Sequence, residues 1–173
     1  MKNIFLLTGI IAVIALTPSC SKNEVIDYSG SDMVHFYERY LYLGYDERRT
    51  EELVYSFAVK PSSLAEDNVN VKVRLQGRIS NVDRAIKVGY IADSTTAVEG
   101  VHFRLNDGLI KAGEYEGTVP VTVLRTADMK QQSFRIKLKI EKNEWFDTGV
   151  VEDSYIAIMV NDILTKPTNW PQW

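Results

Sequence analysis

The stretch TTAVEGVHFRLNDGLIKAGEYEGTVPVTVLR, residues 95–125, decides the fold. It reads turn, short strand, turn, long strand. Gly100, Gly108 and Gly113 fall where the chain must bend, because a residue without a Cβ adopts backbone angles closed to the others. Val119, Val121 and Val123 then alternate with Thr118, Pro120 and Thr122, the period-two signature of a half-buried strand.

The same alternation recurs on both sides. Val69, Val71, Val73 and Leu75 alternate with Asn70, Lys72, Arg74 and Gln76 before Gly77 closes the run. Leu53, Tyr55, Phe57 and Val59 form a run that Pro61 ends, and Ile86, Val88 and Tyr90 share one face of the run from Arg84 to Ile91. Phe134, Ile136, Leu138 and Ile140 alternate with Arg135, Lys137, Lys139 and Glu141. A weaker alternation, Val34 to Glu38, marks the first strand. Tyr155 to Val160 is apolar on both faces, as expected of an interior strand. No segment carries a helical period. About seven short strands at this spacing predict an all-β, antiparallel two-sheet sandwich.

The 173 residues suit one domain, and a hydrophobic content of 45% is enough to build a core. A net charge of −3, with basic residues scattered along alternate strand positions, argues against a nucleic-acid partner. The N-terminus has one lysine, Lys2, and then an apolar run of roughly 13 residues, short of the ~20 that span a bilayer. The run ends at Thr17-Pro18-Ser19-Cys20, and Cys20 is the only cysteine. A secretory signal closing on a lipid-attachment cysteine has this form, although Thr17 stands where Leu is usual and Leu16 lies one place earlier. A plain secretory signal and a short membrane anchor are the competing readings. A lone cysteine has no disulfide partner, and its place just after the apolar run favours lipid attachment. Acyl chains at ~0.8 kcal/mol per buried methylene would anchor the protein firmly.

These signals divide the chain. Residues 1–20 are the lipoprotein signal, 21–32 a polar tether, 33–162 the sandwich, and 163–173 a Pro-interrupted tail. The tail, with Trp170 and Trp173, either docks on the sandwich as a clasp or begins a further region.

Candidate ligand contacts are aromatic. Tyr37, Tyr40, Tyr42 and Tyr45 crowd a short stretch beside Asp46, Glu47, Arg48 and Arg49. A sugar ring stacks its apolar face on a phenol while charged side chains bond its hydroxyls. The alternative is a hairpin whose tyrosines cover the end of the sandwich. If a glycan binds, Tyr40, Tyr42, Tyr45, Trp170 and Trp173 are the candidates. Trp145, in Trp145-Phe146 before Gly149, is expected instead to plug the sandwich end.

Catalytic and metal signals are weak. His35 and His102 lie far apart, without metal-ligand spacing, and read as partly buried structural histidines. There is no Gly-x-Ser-x-Gly elbow and no phosphate loop. Glu47, Glu51, Glu52, Glu99, Asp107 and Glu114 fall in expected loops, where a solvated charge is the default. No enzyme, metal or cofactor is predicted.

The order Ala97, Gly100, Phe103, then Gly113-Glu114, then a Val-rich strand resembles the middle of a Calx-beta domain, an immunoglobulin-like sandwich. Calcium-binding members cluster acids in the loop between the last strands. The corresponding residues 126–132 hold one carboxylate, Asp128, so calcium, which favours several carboxylates, is not expected. The chain is also similar to a Bacteroidetes lipoprotein family of unknown function numbered forty-eight forty-three. The resemblance rests on Leu75-Gln76-Gly77 with Asp83-Arg84, Thr96-Ala97 with Gly100-Val101-His102-Phe103, and Pro120-Val121 through Leu124-Arg125-Thr126. It extends to Phe146 with Gly149 and to Lys166-Pro167-Thr168-Asn169-Trp170. It implies a lipid-anchored envelope protein, on the outer membrane, that assists a SusC/SusD-type pair in binding and taking up a nutrient, commonly a glycan. It also implies that further chain follows the tail. Glu24 and Asp27 after the cysteine fit, in such lipoproteins, with display at the cell surface. The rival reading is a structural or adhesion module that meets a protein partner through the sandwich.

Cys20→Ala should release the protein from membranes or stall its processing. Unchanged membrane fractionation together with an unchanged mature mass would contradict lipid attachment.

Overall fold

The computed structural model describes residues 29–164 except 43, 45 and 150, and leaves out the side chains of residues 41, 42, 46, 47 and 152. Cys20, most of the tether and residues 165–173 lie outside it. Its strands are β1 (Met33–Phe36), β2 (Arg39–Tyr42), β3 (Asp46–Arg49), β4 (Glu52–Ser56), β5 (Glu66–Gln76), β6 (Arg84–Tyr90), β7 (Phe103–Leu105), β8 (Gly108–Ile110), β9 (Glu116–Leu124), β10 (Phe134–Glu141), β11 (Asp147–Thr148) and β12 (Tyr155–Asn161). The described residues form no α-helix, only short 3-10 turns.

The seven strands read from the sequence pattern are β1, β4, β5, β6, β9, β10 and β12. The other five are only two to four residues long. Too short to show a period, they are fixed by pairing with longer neighbours. Ten strands form one curled sheet in the order β11-β1-β5-β9-β8-β6-β10-β12-β4, with β7 also on β9, while β2 and β3 make a separate hairpin.

Strand β6 makes the curl. Its first half, Arg84 to Ile86, pairs with β8, and its second half, Lys87 to Tyr90, pairs with β10. One strand thus belongs to both layers, and the sheet folds back on itself as a sandwich. Pairings within the curled sheet are antiparallel except at its two ends, where β11 lies parallel to β1 and β4 parallel to β12. Parallel neighbours need a long connection, and most of the domain lies between β4 and β12 in sequence.

The core fills from the alternating positions. Val71, Val73, Val119, Val121, Val123, Ile136, Leu138 and Ile158 are fully buried, and Phe103 and Phe57 close the space between layers. Strand β12 is the interior strand its composition predicted, flanked by β10 and β4. Phe57 departs from the expected strand. The Ser56 hydroxyl accepts a bond from the Ala58 N–H at 3.2 Å, and residues Phe57–Val59 turn as a 3-10 helix that buries Phe57 and leaves Val59 in water. Gly108, expected at a bend, is the first residue of β8 and already pairs with Ile86. A Cβ there would stand 2.6 Å from Val119 Cγ2 and 2.8 Å from the Thr118 carbonyl, so close packing demands glycine.

His102 is a structural histidine. Its Nδ1 accepts from the Val98 N–H at 2.8 Å, which leaves Nε2 to donate to Asp128 at 3.2 Å, and its ring stacks on Phe134 at 4.0 Å. The single carboxylate of the 126–132 loop is thereby engaged. The neighbouring Thr126 hydroxyl and the bond from His102 outweigh desolvation and hold Asp128 below the usual carboxylate range.

Val71→Asp should unfold the domain, since a buried carboxylate without a partner costs several kcal/mol against a total stability of about 5–15. Lys72→Asp, on the exposed face one residue on, should shift stability by about 0.5 kcal/mol or less. Equal losses in denaturant titrations of the two would contradict the register.

Candidate functional site

One end of the sandwich is built around a buried cation. Arg84 opens β6 on the same face as Ile86 and Val88 and is 3% exposed. A guanidinium cannot sit there unpaired. Its Nη1 donates to Asp32 at 2.9 Å, its Nη2 donates to the Arg78 carbonyl at 3.1 Å, and its plane lies 4.7 Å from the centre of the Phe146 ring. Asp32 also accepts from the Arg78 N–H at 3.0 Å, and its own carbonyl accepts from the Asp147 N–H at 2.9 Å. Gly77 makes room: its φ is +148° and a Cβ there would meet the Asp32 carboxylate, so any other residue is strained. Although desolvation pushes the Asp32 carboxyl up, the Arg78 N–H and the Arg78 and Arg84 charges hold it below the usual range. Asp32, which the sequence placed at the end of the tether, is therefore bonded into the domain.

Beside this pair, the loop from Lys142 to Phe146 is shaped by Asn143. The Asn143 Oδ1 accepts from the N–H groups of Trp145 and Phe146 at 2.9 and 2.8 Å, and its Nδ2 donates to the Ala85 carbonyl at 2.7 Å. This local turn sends two adjacent aromatics opposite ways. Phe146 is buried and plugs the sandwich end, whereas Trp145 is 38% exposed. The expectation that Trp145 is the plug is overturned: the smaller ring fits beneath Arg84 and the indole is left outside.

Trp145 forms one wall of an open cleft of about 270 Å³, with Arg78, Lys142, Glu144 and Asp147 around it and Asp32 at its base. Lys142 pairs with Asp147 at 3.0 Å. That bond, with the Thr148 N–H, keeps the Asp147 carboxyl low. The cleft combines a half-exposed indole with donors and acceptors of both signs.

Tyr40 does not join this cleft. It lies on β2, 47% exposed. Tyr42 is paired with Asp46 in the hairpin, but its side chain is outside the described residues, as are Tyr45, Trp170, Trp173 and Cys20. Tyr37, in the same crowded stretch, has its ring occupied. The Arg74 and Arg39 guanidiniums lie 3.3 and 4.6 Å from its centre, and Glu116 fixes Arg74. His35, beneath this group, is buried on β1. Desolvation lowers its pKa, Arg74, Arg39 and Arg49 add to that effect, and Asp153 opposes it.

These groups make stability depend on pH in two windows. The folded pKa of His35 lies below its unfolded value of about 6.5, so only the unfolded chain takes up the proton between the two values. That contribution is complete above about pH 6.5 and declines as pH falls toward the folded value. The contribution of Asp32 is present above its unfolded value of about 3.8 and is lost as pH falls through its lower folded value. Thermal melts should therefore show a decline from pH 7 to 5.5 that His35→Gln abolishes, and a separate acid loss that it leaves intact. Asp32→Ala should cost about 3 kcal/mol at pH 7 by stranding Arg84. A pH 7 to 5.5 slope that survives His35→Gln, or a near-neutral Asp32→Ala, would contradict these assignments.

No curated protein matches the chain. Among solved structures, a candidate carbohydrate-binding protein from Bacteroides ovatus is similar at 8% identity and a TM-score of 0.48, over 76% of this chain and 37% of that one. A two-domain protein of unknown function from Bacteroides fragilis is similar at 16% identity and a TM-score of 0.47, over 76% and 45%. The calcium-binding domain CBD12 of CALX1.1 is similar at 16% identity and a TM-score of 0.45, over 65% and 43%. The chain thus spans less than half the length of each. A family model matches residues 34–173, and the chain belongs to that family, DUF4843, a domain of unknown function.

Proposed function

We propose that the protein is a non-enzymatic saccharide-binding sandwich, lipid-anchored through Cys20 to the outer membrane, that assists a SusC/SusD-type pair in nutrient uptake. The observation that carries this reading is the half-exposed Trp145 ring at the wall of a polar cleft whose backing is fixed by the Arg84–Asp32 pair and the Asn143 hydrogen bonds. A pyranose presents one apolar face and a rim of hydroxyls. An indole beside Arg78, Lys142, Glu144 and Asp147 offers a complement to both.

Two of the cleft's carboxylates, Asp32 and Asp147, are poorly suited to hydrolysis. A glycosidase needs one carboxyl kept protonated near neutral pH to donate to the leaving group. Asp32 and Asp147 are both held below the usual range, so both stay ionised. The rival reading, a spacer or adhesion module meeting a protein partner, draws on the outer edge of β4, which no other described strand pairs.

The test is titration of a panel of polysaccharides into a chain beginning at Ser21, whose core residues all lie between Val34 and Val160. Trp145→Ala should weaken binding about fivefold or more, since losing one stacked ring costs about 1–3 kcal/mol by analogy with bases stacked on aromatics. Tyr40→Ala should leave it unchanged. Binding that Trp145→Ala does not alter would move the site elsewhere. No binding across the panel by the folded chain would favour the protein-partner reading.

A further inference from the structure

The charges of the Trp145 cleft do not all cancel, and the remainder fits one class of ligand. Asp32 and Asp147 have every carboxylate oxygen engaged. Asp32 is held by Arg84 and the Arg78 N–H, and Asp147 by Lys142 and, at 2.9 Å, the Thr148 N–H. Arg84 and Lys142 are the cations of those two pairs. Two charged groups are left over. The Arg78 side chain is 62% exposed and makes no hydrogen bond among the described residues, and the nearest carboxylate oxygen, Asp32 Oδ1, is 3.6 Å from its Nε. Glu144, just before the indole, is exposed and has no ion-pair partner among the described residues.

Arg78 is fixed at its root and free at its head. Its N–H donates to Asp32 and its carbonyl accepts from Arg84, so both of its backbone polar groups are bound to the buried pair. The side chain therefore starts from a set position at the cleft, while its planar fork of donors lies open to solvent. Such a fork binds two oxygens of one carboxylate or sulfate side by side. Lys142 is less suited to this task, because a ligand anion would have to compete with Asp147 for it.

We infer that the cleft selects acidic saccharides, with the anionic group of the sugar seated on Arg78. The inference rests on the saccharide reading of this cleft and narrows it to a class. A pyranose laid on the indole carries its equatorial substituents outward around the rim of the ring. In a hexuronate these are one carboxylate and several hydroxyls. Arg78 matches the carboxylate, Glu144 accepts from a hydroxyl, and Trp145 covers the apolar face of the ring. A neutral hexose offers Arg78 only hydroxyl oxygens, which replace water without pairing the charge. A sulfate ester offers it an anion of the same kind. The two sources differ in one reaction: methylation removes the charge of a carboxylate and leaves that of a sulfate.

Calorimetric titration of the chain beginning at Ser21 tests this with oligosaccharides of polygalacturonate, alginate and chondroitin sulfate, each beside its carboxyl methyl ester. If a carboxylate is the group, a charged oligosaccharide should bind about fivefold tighter than its ester, the upper range for one exposed ion pair. Arg78→Gln should erase that preference, and so should raising the salt to ~0.5 M. The variant should keep the wild-type Tm, since the bonds of Arg78 to Asp32 and Arg84 are made by its backbone. If sulfate is the group, chondroitin sulfate and its ester should bind alike, the other two pairs weakly, and Arg78→Gln should weaken both chondroitin forms. Esters of the unsulfated polymers that bind as tightly as their parents, with Trp145→Ala weakening both, would overturn the acidic class and leave the saccharide reading standing. A preference for charge that survives Arg78→Gln, or no binding to any of the six by the folded chain, would also overturn the inference. Binding that Trp145→Ala leaves unchanged would overturn both the inference and the reading beneath it.

Discussion

The ion pair between Arg84 and Asp32 is the constraint on which the Trp145 end of the molecule depends. A guanidinium at the first position of β6 faces the core because Ile86 and Val88, two and four residues on, must face it too. Having been carried inside, the charge needs a carboxylate, and Asp32 arrives from just before β1. Glycine is then required at position 77, the Arg78 backbone is drawn in, and Phe146 is held beneath the guanidinium. Such a pair adds little net stability over a packed apolar alternative, yet losing one partner is costly. Its contribution is to fix which loops meet at this end, and so where the Trp145 ring points.

The same strand governs the fold. Because β6 pairs with β8 through one half and with β10 through the other, it belongs to both layers and ties them by backbone hydrogen bonds. The two ends of the curled sheet, β11 and β4, are what this closure leaves over. They differ in character. The β11 end lies under the lead-in at Asp32 and the polar cleft, and the β4 end carries the exposed valines. A single chain therefore presents one polar, aromatic-walled end and one apolar edge.

The fold was largely legible in the sequence and the site largely was not, for reasons that lie in particular residues. Val71 and Lys72 declare their faces through alternation, and Tyr155 to Val160 declares an interior strand. The two-residue β11 has no period to read. The turn at Phe57 breaks an apparent strand because a serine hydroxyl outcompetes the ladder, a local bond that composition does not announce. Arg84 was within reach of the reading, since its parity matches that of Ile86, but its partner at position 32 is 52 residues away. Trp145 was misplaced because two neighbouring aromatics are equivalent by composition, and only the Asn143 bonds send one inward and the other out. Of the tyrosines named as candidates, Tyr40 is exposed but lies away from the cleft.

The central claim, that the cleft at Trp145 is where a saccharide is held, is tested most directly by a 1H–15N correlation spectrum of the labelled chain recorded as an oligosaccharide is added. Three indole N–H signals report on Trp145, Trp170 and Trp173. The account predicts that the Trp145 indole moves together with the amides of Arg78 and of Lys142 to Asp147, while those of the β2–β3 hairpin and the other two indoles stay in place. Shifts confined to the hairpin or the tail, with the Trp145 indole unmoved, would contradict it.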